Sequence, residues 1–263
     1  MPRFSINLSM MLQEHAFLDR FQAAADLGFR GVDIQFPYDH PAEEIAERAQ
    51  SAGVEIVLIN IPAGDLITGG DGLACVPGRE EGFAAGLETA KAYVRALRCQ
   101  RVNVLTGRVP VGVSQAEAEE AFVRNLRLAA DAFAPLGVTV MMEPCNQRDV
   151  PRYLVSRTEH ALALIDRADR ENLALQFDFY HRQITEGDLI EGFRSSLPRI
   201  AHVQFADNPG RHEPGTGEIN YERIFEAIDV SGYTGWVGAE YRPSGRTADS
   251  INWLRSARNL ENQ

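Results

Sequence analysis

Short apolar runs alternate with helical patterns along the whole chain. Eight runs are rich in Val, Ile and Leu and mostly apolar on both faces, which is typical of strands buried in a parallel sheet. They cover residues 3–9, 31–36, 54–60, 101–107, 138–143, 173–178, 200–207 and 235–241. Between them lie stretches with apolar residues at helical spacing, and several end in a glycine, such as Gly28, Gly53 and Gly137. This order predicts eight consecutive βα units.

Eight such units in 263 residues predict an α/β protein with a single (β/α)8 TIM-barrel domain spanning residues 1–263. A doubly wound open sheet is the alternative, but no G-x-G-x-x-G motif follows the first strand. Ser114 and Ser156 are predicted to cap the helices that follow them. The longest irregular segment, residues 61–78, is interpreted either as a mobile loop over the pocket or as a solvated insertion.

Composition narrows the class of protein. The chain has 37 acidic and 26 basic residues and a formal charge of −11, which argues against a nucleic-acid partner. No apolar run is long enough for a membrane span, and the N-terminus lacks a signal-peptide pattern. Three cysteines without metal-type spacing favour a reducing cytoplasm, and Cys145 is interpreted as a bystander thiol. No feature marks a subunit interface, so a homo-oligomer is left open.

Four polar residues stand at the ends of four consecutive predicted strands: Glu143, Asp178, Gln204 and Glu240. Each alone is more often a helix cap or a surface residue. In a closed barrel, however, all four side chains converge on the carboxyl face, where barrel enzymes hold their active sites. Three carboxylates and one amide, without thiolates, favour Mg²⁺ or Mn²⁺ over zinc. The sequence therefore predicts a divalent metal site formed by these four residues.

Several neighbouring residues are candidates for binding the substrate. His181, three residues after Asp178, can bind or polarise a substrate oxygen, although a loop histidine with a structural role is the alternative. Arg211, in the Gly- and Pro-rich segment after the seventh strand, can clamp a carboxylate through two hydrogen bonds. Asn60, at the end of the third strand, is a weaker candidate.

Other polar residues near the predicted mouth have less specific interpretations. His202 lies deeper than Gln204 on the same side of its strand and is interpreted as structural. Glu218 is predicted to anchor the loop that carries Arg211. The remaining candidates are weaker still: Gln35, Thr106 and His212.

Six segments resemble the hydroxypyruvate isomerase family, which belongs to the xylose isomerase-like barrel superfamily. They are FSINLSMML, FRGVDIQFP, VMMEP, QFDFYH, HVQFADNPGRHEPGTGEINY and GWVGAEYRP. The resemblance covers essentially the whole chain, and the stretch ADNPGR-x-EPGTGEI is its most specific part. In the related 3-epimerases the third ligand position typically carries a histidine, so Gln204 resembles the isomerase branch.

The resemblance implies roles for individual residues. Glu143, Asp178, Gln204 and Glu240 resemble the family's metal ligands, and Glu143 and Glu240 also resemble its catalytic carboxylates. It implies that the substrate is a small anionic keto acid. The expected reaction is conversion of hydroxypyruvate to 2-hydroxy-3-oxopropanoate (tartronate semialdehyde) through an enediolate.

Alternative activities remain open at this point. A 2-oxo-tetronate isomerase resembles this chain equally well, and a ketose 3-epimerase uses the same pair of glutamates. A nuclease like endonuclease IV shares the barrel, but the sequence lacks that family's histidine-rich zinc pattern. A sugar-acid binding protein without catalysis is the remaining alternative.

Overall fold

The computed structural model describes residues 2–254 and forms a closed barrel of eight parallel strands that pair in chain order. The last strand pairs with the first through Arg3 and Trp236 at one end and Ile6 and Ala239 at the other. The strands are β1 Arg3–Asn7, β2 Gly31–Ile34, β3 Glu55–Asn60, β4 Arg101–Val104, β5 Thr139–Met142, β6 Leu173–Asp178, β7 Ile200–Phe205 and β8 Trp236–Ala239. All eight predicted strands and the single (β/α)8 barrel are confirmed. Residues 255–263 of the predicted domain lie outside the described residues.

Helices cover the outside of the barrel. They are α1 Arg20–Asp26, α2 Ala42–Ala52, α3 Glu80–Leu97, α4 Gln115–Phe133, α5 Thr158–Ala168, α6 Phe179–Thr185, α7 Leu189–Ser196, α8 Tyr221–Val230 and α9 Thr247–Ser250. Helix α6 was not predicted from the sequence. It begins directly after β6 because the Asp178 carboxylate accepts a hydrogen bond from the backbone N–H of Tyr180 (2.7 Å) and caps the helix.

The two predicted serine caps have different outcomes. Ser114 caps α4, and its hydroxyl accepts the N–H of Glu117 while the Glu117 carboxylate accepts the N–H of Ser114. The prediction for Ser156 is wrong, because α5 begins at Thr158. There the carboxylate of Glu186 accepts hydrogen bonds from the Thr158 N–H (2.9 Å) and hydroxyl (2.8 Å). A carboxylate distant in sequence therefore replaces the local cap.

Apolar and polar side chains lie close together in the barrel. One apolar cluster consists of Val57, Leu58, Met141 and Trp236. Leu58 of β3 pairs in register with Asp33 of β2. The Asp33 carboxylate leaves room only for glycine at position 238, because a Cβ there would stand 2.3 Å from Asp33 Oδ2.

The segment 61–78, between β3 and α3, is tied to its surroundings by three arginines. Arg79 pairs with Asp65 (2.9 Å), and Arg152 pairs with Asp71 (2.8 Å). Arg108 donates to the main-chain carbonyl oxygen of Leu66 (3.0 Å), whose side chain is buried. These contacts anchor the segment, and Ile67 within it lines the cavity at the barrel mouth.

Among residues 2–254, no helix combines the length and apolar character needed to cross a lipid bilayer.

Candidate active site

The structure brings together the four residues predicted at the strand ends. Glu143 directly follows β5, Asp178 ends β6, Gln204 lies near the end of β7, and Glu240 directly follows β8. Their relative exposures are between 1% and 5%. Carboxylate oxygens of Glu143, Asp178 and Glu240 all lie within 4.8 Å of one another. Parallel strands of a closed barrel end at one rim, which explains the convergence.

Glu143, Gln204 and Glu240 line a cavity of about 150 Å³. His181, Arg211 and Asn60, the predicted substrate-binding residues, line the same cavity. Part of its wall is apolar and comes from Phe36, Ile67, Leu105, Cys145 and Val150. The site therefore combines a concentrated group of charges with a limited volume, which suits a small anionic molecule.

Glu240 is surrounded by hydrogen-bond donors. Its Oε1 accepts from Asn7 Nδ2 (2.7 Å), Gln35 Nε2 (3.1 Å) and Gln204 Nε2 (3.1 Å). Its Oε2 accepts from Arg211 Nη2 at 2.5 Å. Four donors around one buried carboxylate hold it in one position.

Glu143 has far fewer hydrogen-bond donors around it than Glu240. Its Oε2 accepts a long hydrogen bond from Asn103 (3.3 Å), and its Oε1 has no hydrogen-bond partner among the described residues. Burial, together with the negative charges of Glu240 and Asp178, raises the pKa of Glu143 well above its ordinary value. This carboxyl group is therefore suited to carry a proton.

The hydrogen bonding of Asp178 is intermediate between that of the two glutamates. One of its oxygens caps α6, and Oδ2 is buried with no hydrogen-bond partner in the described part of the chain. Burial raises the pKa of Asp178, while the guanidinium of Arg211, 3.8 Å from Oδ2, opposes that shift. Without Arg211, the buried carboxylates would carry an uncompensated negative charge.

Arg211 points into the site from the loop after β7. The carboxylate of Asp207 organises this loop by accepting the backbone N–H groups of Asn208, Gly215, Gly217 and Ile219. Arg211 itself has a positive φ of 58° and lies with its guanidinium 5.0 Å from the centre of the Tyr180 ring. Glu218, predicted as the loop anchor, accepts from Asn208 Nδ2 at 2.7 Å.

The donor set fits a hard divalent cation. Two of the three carboxylates, Glu143 and Asp178, each have a buried oxygen without a hydrogen-bond partner among residues 2–254, and a cation would satisfy both. Gln204 is placed beside them, but its Nε2 faces Glu240 and its Oε1 accepts from Gln176 Nε2 (2.6 Å). A ligand role for Gln204 needs the second lone pair of that oxygen or a turned-over amide.

The weaker candidates have separate positions. Gln35 contacts Glu240 and lines the cavity, so it is closer to the chemistry than its sequence position indicated. His202 is fully buried beneath Gln204, with Nε2 3.2 Å from Asp33 Oδ2, as its structural interpretation predicted. Thr106 and His212 do not belong to the cavity lining described here.

Sequence reasoning missed several polar residues that contact the predicted site residues. Asn7 and Asn103 lie at or near the ends of β1 and β4 and contact Glu240 and Glu143. The same strand-end rule that selected Glu143 would have found both. Gln176 and Asn146, in contrast, carried no such signal, because their importance depends on contacts with residues from other βα units.

The sequence matches the family described as xylose isomerase-like TIM barrel over residues 21–257. This chain belongs to that family. It is 44% identical to a 2-oxo-tetronate isomerase of Cupriavidus necator, over 97% of this chain and 98% of the relative. It is also 44% identical to a hydroxypyruvate isomerase of Escherichia coli, with the same coverage.

One solved structure with a similar fold is named as a nuclease and not as an isomerase. The crystal structure titled as an AP endonuclease, family 2, from Brucella melitensis is 41% identical and superposes with a TM-score of 0.94. The alignment covers 97% of this chain and 99% of that one. The relatives named as hydroxypyruvate and 2-oxo-tetronate isomerases confirm the resemblance to that family over nearly the whole chain.

Proposed function

We propose that this protein is a metal-dependent isomerase that converts hydroxypyruvate to tartronate semialdehyde. The supporting observation is the pair of buried glutamates, Glu143 and Glu240, which face one small cavity that also contains an arginine and a histidine. Moving a carbonyl group between adjacent carbons requires a proton to leave one carbon and another to arrive at its neighbour. Two carboxyl groups in one cavity suit that exchange.

Family membership carries the coarser part of this proposal. Relatives that match nearly the whole chain are named as isomerases of hydroxypyruvate or of 2-oxo-tetronates. The chain is therefore an isomerase of small keto acids. The individual substrate, the metal dependence and the residue roles are our proposal.

Glu143, Asp178, Gln204 and Glu240 would hold the metal ion, Mg²⁺ or Mn²⁺. When bound, such an ion supplies Lewis acidity, which makes the neighbouring C–H more acidic and stabilises negative charge on oxygen. The unpaired oxygens of Glu143 and Asp178 support this assignment.

The proton transfers are assigned to the two glutamates. One carboxylate takes a proton from C3 of hydroxypyruvate, and a double bond forms between C2 and C3. The electrons of the C2 carbonyl move to its oxygen, which receives the proton that the C3 hydroxyl gives up. A proton is then returned to C2, and the carbonyl group is restored at C3. The raised pKa of Glu143 suits a group that holds a proton during this exchange.

Three residues are proposed to bind the substrate. The guanidinium of Arg211 would hold the substrate carboxylate, for which its two-pronged geometry is suited. This requires Arg211 to share or leave its present partner Glu240. His181 and Asn60 line the same cavity and would contact the remaining oxygens.

The test is a proton NMR assay of hydroxypyruvate in D₂O with three forms of the protein: Mg²⁺-loaded, Mn²⁺-loaded with the metal removed before detection, and EDTA-stripped. We expect conversion to tartronate semialdehyde with deuterium at carbon, only in the metal-loaded forms. Equal conversion after EDTA treatment would contradict the metal dependence.

The same assay separates the alternatives. A 2-oxo-tetronate is assayed in parallel, and the ratio of the two kcat/KM values selects the preferred substrate. Epimerisation of a ketose without movement of its carbonyl group would replace isomerisation with 3-epimerase activity. Cleavage of DNA containing an abasic site, with no turnover of keto acids, would replace it with nuclease activity.

A further inference from the structure

His181 is held from behind by Asn146. The imidazole Nδ1 lies 3.2 Å from the backbone nitrogen of Asn146 and 2.7 Å from its side-chain Nδ2. A backbone N–H and an amide NH₂ can only donate hydrogen bonds. Nδ1 must therefore carry the lone pair that accepts them, and it cannot carry a hydrogen.

The orientation of the Asn146 amide is itself determined by its neighbours. Its Oδ1 accepts the backbone N–H of Asp149 (2.9 Å), and its Nδ2 also lies 3.2 Å from Asp149 Oδ2. The same Asp149 oxygen accepts the hydroxyl of Tyr180 at 2.9 Å. Turning the amide over would place oxygen against the carboxylate and nitrogen against a backbone N–H, so both contacts would become repulsive.

The remaining hydrogen of the neutral ring is consequently on Nε2, which faces the site. This atom lies 4.0 Å from Glu143 Oε1 and 3.8 Å from Asp178 Oδ2, beyond ordinary hydrogen-bond length. A molecule in the cavity can therefore receive the Nε2–H, since His181 lines that cavity.

The same argument decides between two groups of residues that have metal-binding spacing. Glu143, Cys145 and His181 have ligand atoms within 4.8 Å, as do Glu143, Asp178 and Glu240. The first group needs a lone pair on His181, yet Nδ1 is occupied by Asn146 and Nε2 carries a hydrogen. The set of three carboxylates, Glu143, Asp178 and Glu240, therefore remains available to bind a cation.

The hydrogen-bond geometry makes the ring neutral, because Nδ1 carries a lone pair and only Nε2 carries a hydrogen. A neutral N–H can stabilise negative charge on a substrate oxygen without giving its proton away.

We infer that neutral His181 donates its Nε2–H to the substrate oxygen on which negative charge develops, and that Asn146 is the positioning residue that holds His181 in this tautomer. The inference rests on the proposed isomerase function. It adds a defined chemical state to His181 and a role to Asn146, a residue outside the predicted site.

The first measurement needs no variant. The ¹⁵N chemical shifts and two-bond ¹H–¹⁵N couplings of the His181 ring distinguish the two neutral tautomers and the imidazolium. They can be recorded on Mg²⁺-loaded protein without substrate. We expect hydrogen on Nε2 and none on Nδ1 at neutral pH. A ring with hydrogen on Nδ1, or an imidazolium, would overturn the inference.

The second measurement uses Asn146→Asp, which keeps the shape but replaces the side-chain donor by an acceptor. We expect hydrogen to appear on Nδ1 and kcat to fall about 100-fold, the loss typical of one hydrogen-bond donor to a developing oxyanion. KM should change much less. Gln147→Glu introduces the same charge at the exposed neighbouring position, and it should leave tautomer and kcat unchanged.

The outcomes separate this inference from the proposed function. If Asn146→Asp retains the wild-type tautomer or the wild-type kcat, Asn146 does not position His181. If the tautomer is as expected but no keto acid is turned over in the D₂O assay, the proposed function fails while the Asn146–His181 contact stands.

Discussion

The two glutamates of the site lie in opposite environments although both follow a strand and both are buried. Glu240 accepts hydrogen bonds from four side chains, the nearest of them Arg211 and Asn7 at 2.5 and 2.7 Å. Glu143 accepts one from Asn103 at 3.3 Å and has an oxygen without a partner in the described residues. Burial and like charges raise the pKa of Glu143. The same residue type, at the end of a strand in both cases, thus has two different sets of hydrogen-bond partners.

This difference indicates that the two glutamates meet the substrate in different ways. A carboxylate held by several donors is fixed in position, which suits a group that must meet a substrate C–H and a metal ion in one geometry. A carboxyl group with few donors changes its protonation at little cost, which suits proton transfer. The comparison can be tested by making the same substitution on both sides.

The largest expected effect is on turnover. Glu143→Gln and Glu240→Gln should each lower kcat about 1000-fold or more, because general acid–base groups contribute roughly 10²–10⁴. Glu240→Gln should keep part of the metal affinity, since Glu143 and Asp178 remain. The D₂O assay and isothermal titration with Mn²⁺ measure the two quantities. A Glu240→Gln variant with wild-type kcat would remove Glu240 from the reaction.

The next largest effect is on the free energy of unfolding, which we expect the two substitutions to change in opposite directions. Glu240→Gln leaves the buried guanidinium of Arg211 without its main partner, so the free energy of unfolding should fall by about 3 kcal/mol. Glu143→Gln removes a buried carboxyl group that the other carboxylates repel, so the metal-free protein should become more stable at pH 8. Urea unfolding in EDTA measures both values. Equal destabilisation by both substitutions would contradict the comparison.

The gain from Glu143→Gln should depend on pH. The folded-state pKa of Glu143 is raised above the unfolded value of about 4.3, so the folded protein binds more protons between those two pKa values. Ionising Glu143 therefore costs stability as pH rises through this interval, by about 1.4 kcal/mol per unit of pKa difference. We expect the variant and wild type to match near pH 4 and to diverge above it. A gap that narrows as pH rises would refute this explanation.

The smallest expected effect is on metal affinity, and it comes from removing the positive charge of Arg211 beside Glu240. Arg211→Gln removes a cation that lies 2.5 Å from Glu240 and 3.8 Å from Asp178, so a divalent ion meets less competition. We expect Mn²⁺ to bind about tenfold more tightly, which corresponds to about 1.4 kcal/mol, while KM for the keto acid rises. Arg148→Gln removes an exposed arginine that does not line the cavity; it is the control and should change neither. Weaker Mn²⁺ binding by Arg211→Gln would show that Arg211 positions the ligands instead.

Much of the fold was predictable because its signals are local. Eight apolar runs identified eight strands, and the left-handed conformation of Gly53 and Gly137 after their helices was expected from glycine alone. The wrong predictions arose because each residue was interpreted from its immediate sequence neighbours alone. Ser156 was selected as a cap by its residue type, while Glu186, 28 residues from Thr158, performs that function. Helix α6 was missed because Asp178 was assigned to the site and not also to a cap.

The sequence by itself determined the barrel and the set of polar residues at its carboxyl face. This was possible because strand periodicity and strand ends can be read one unit at a time. Only the tertiary structure decided which glutamate is surrounded by donors, which way the imidazole of His181 carries its hydrogen, and that Arg211 pairs with Glu240. These properties depend on contacts between different βα units, over distances along the chain that no local pattern records. Burial then amplifies each contact, because water is not present to replace a missing partner.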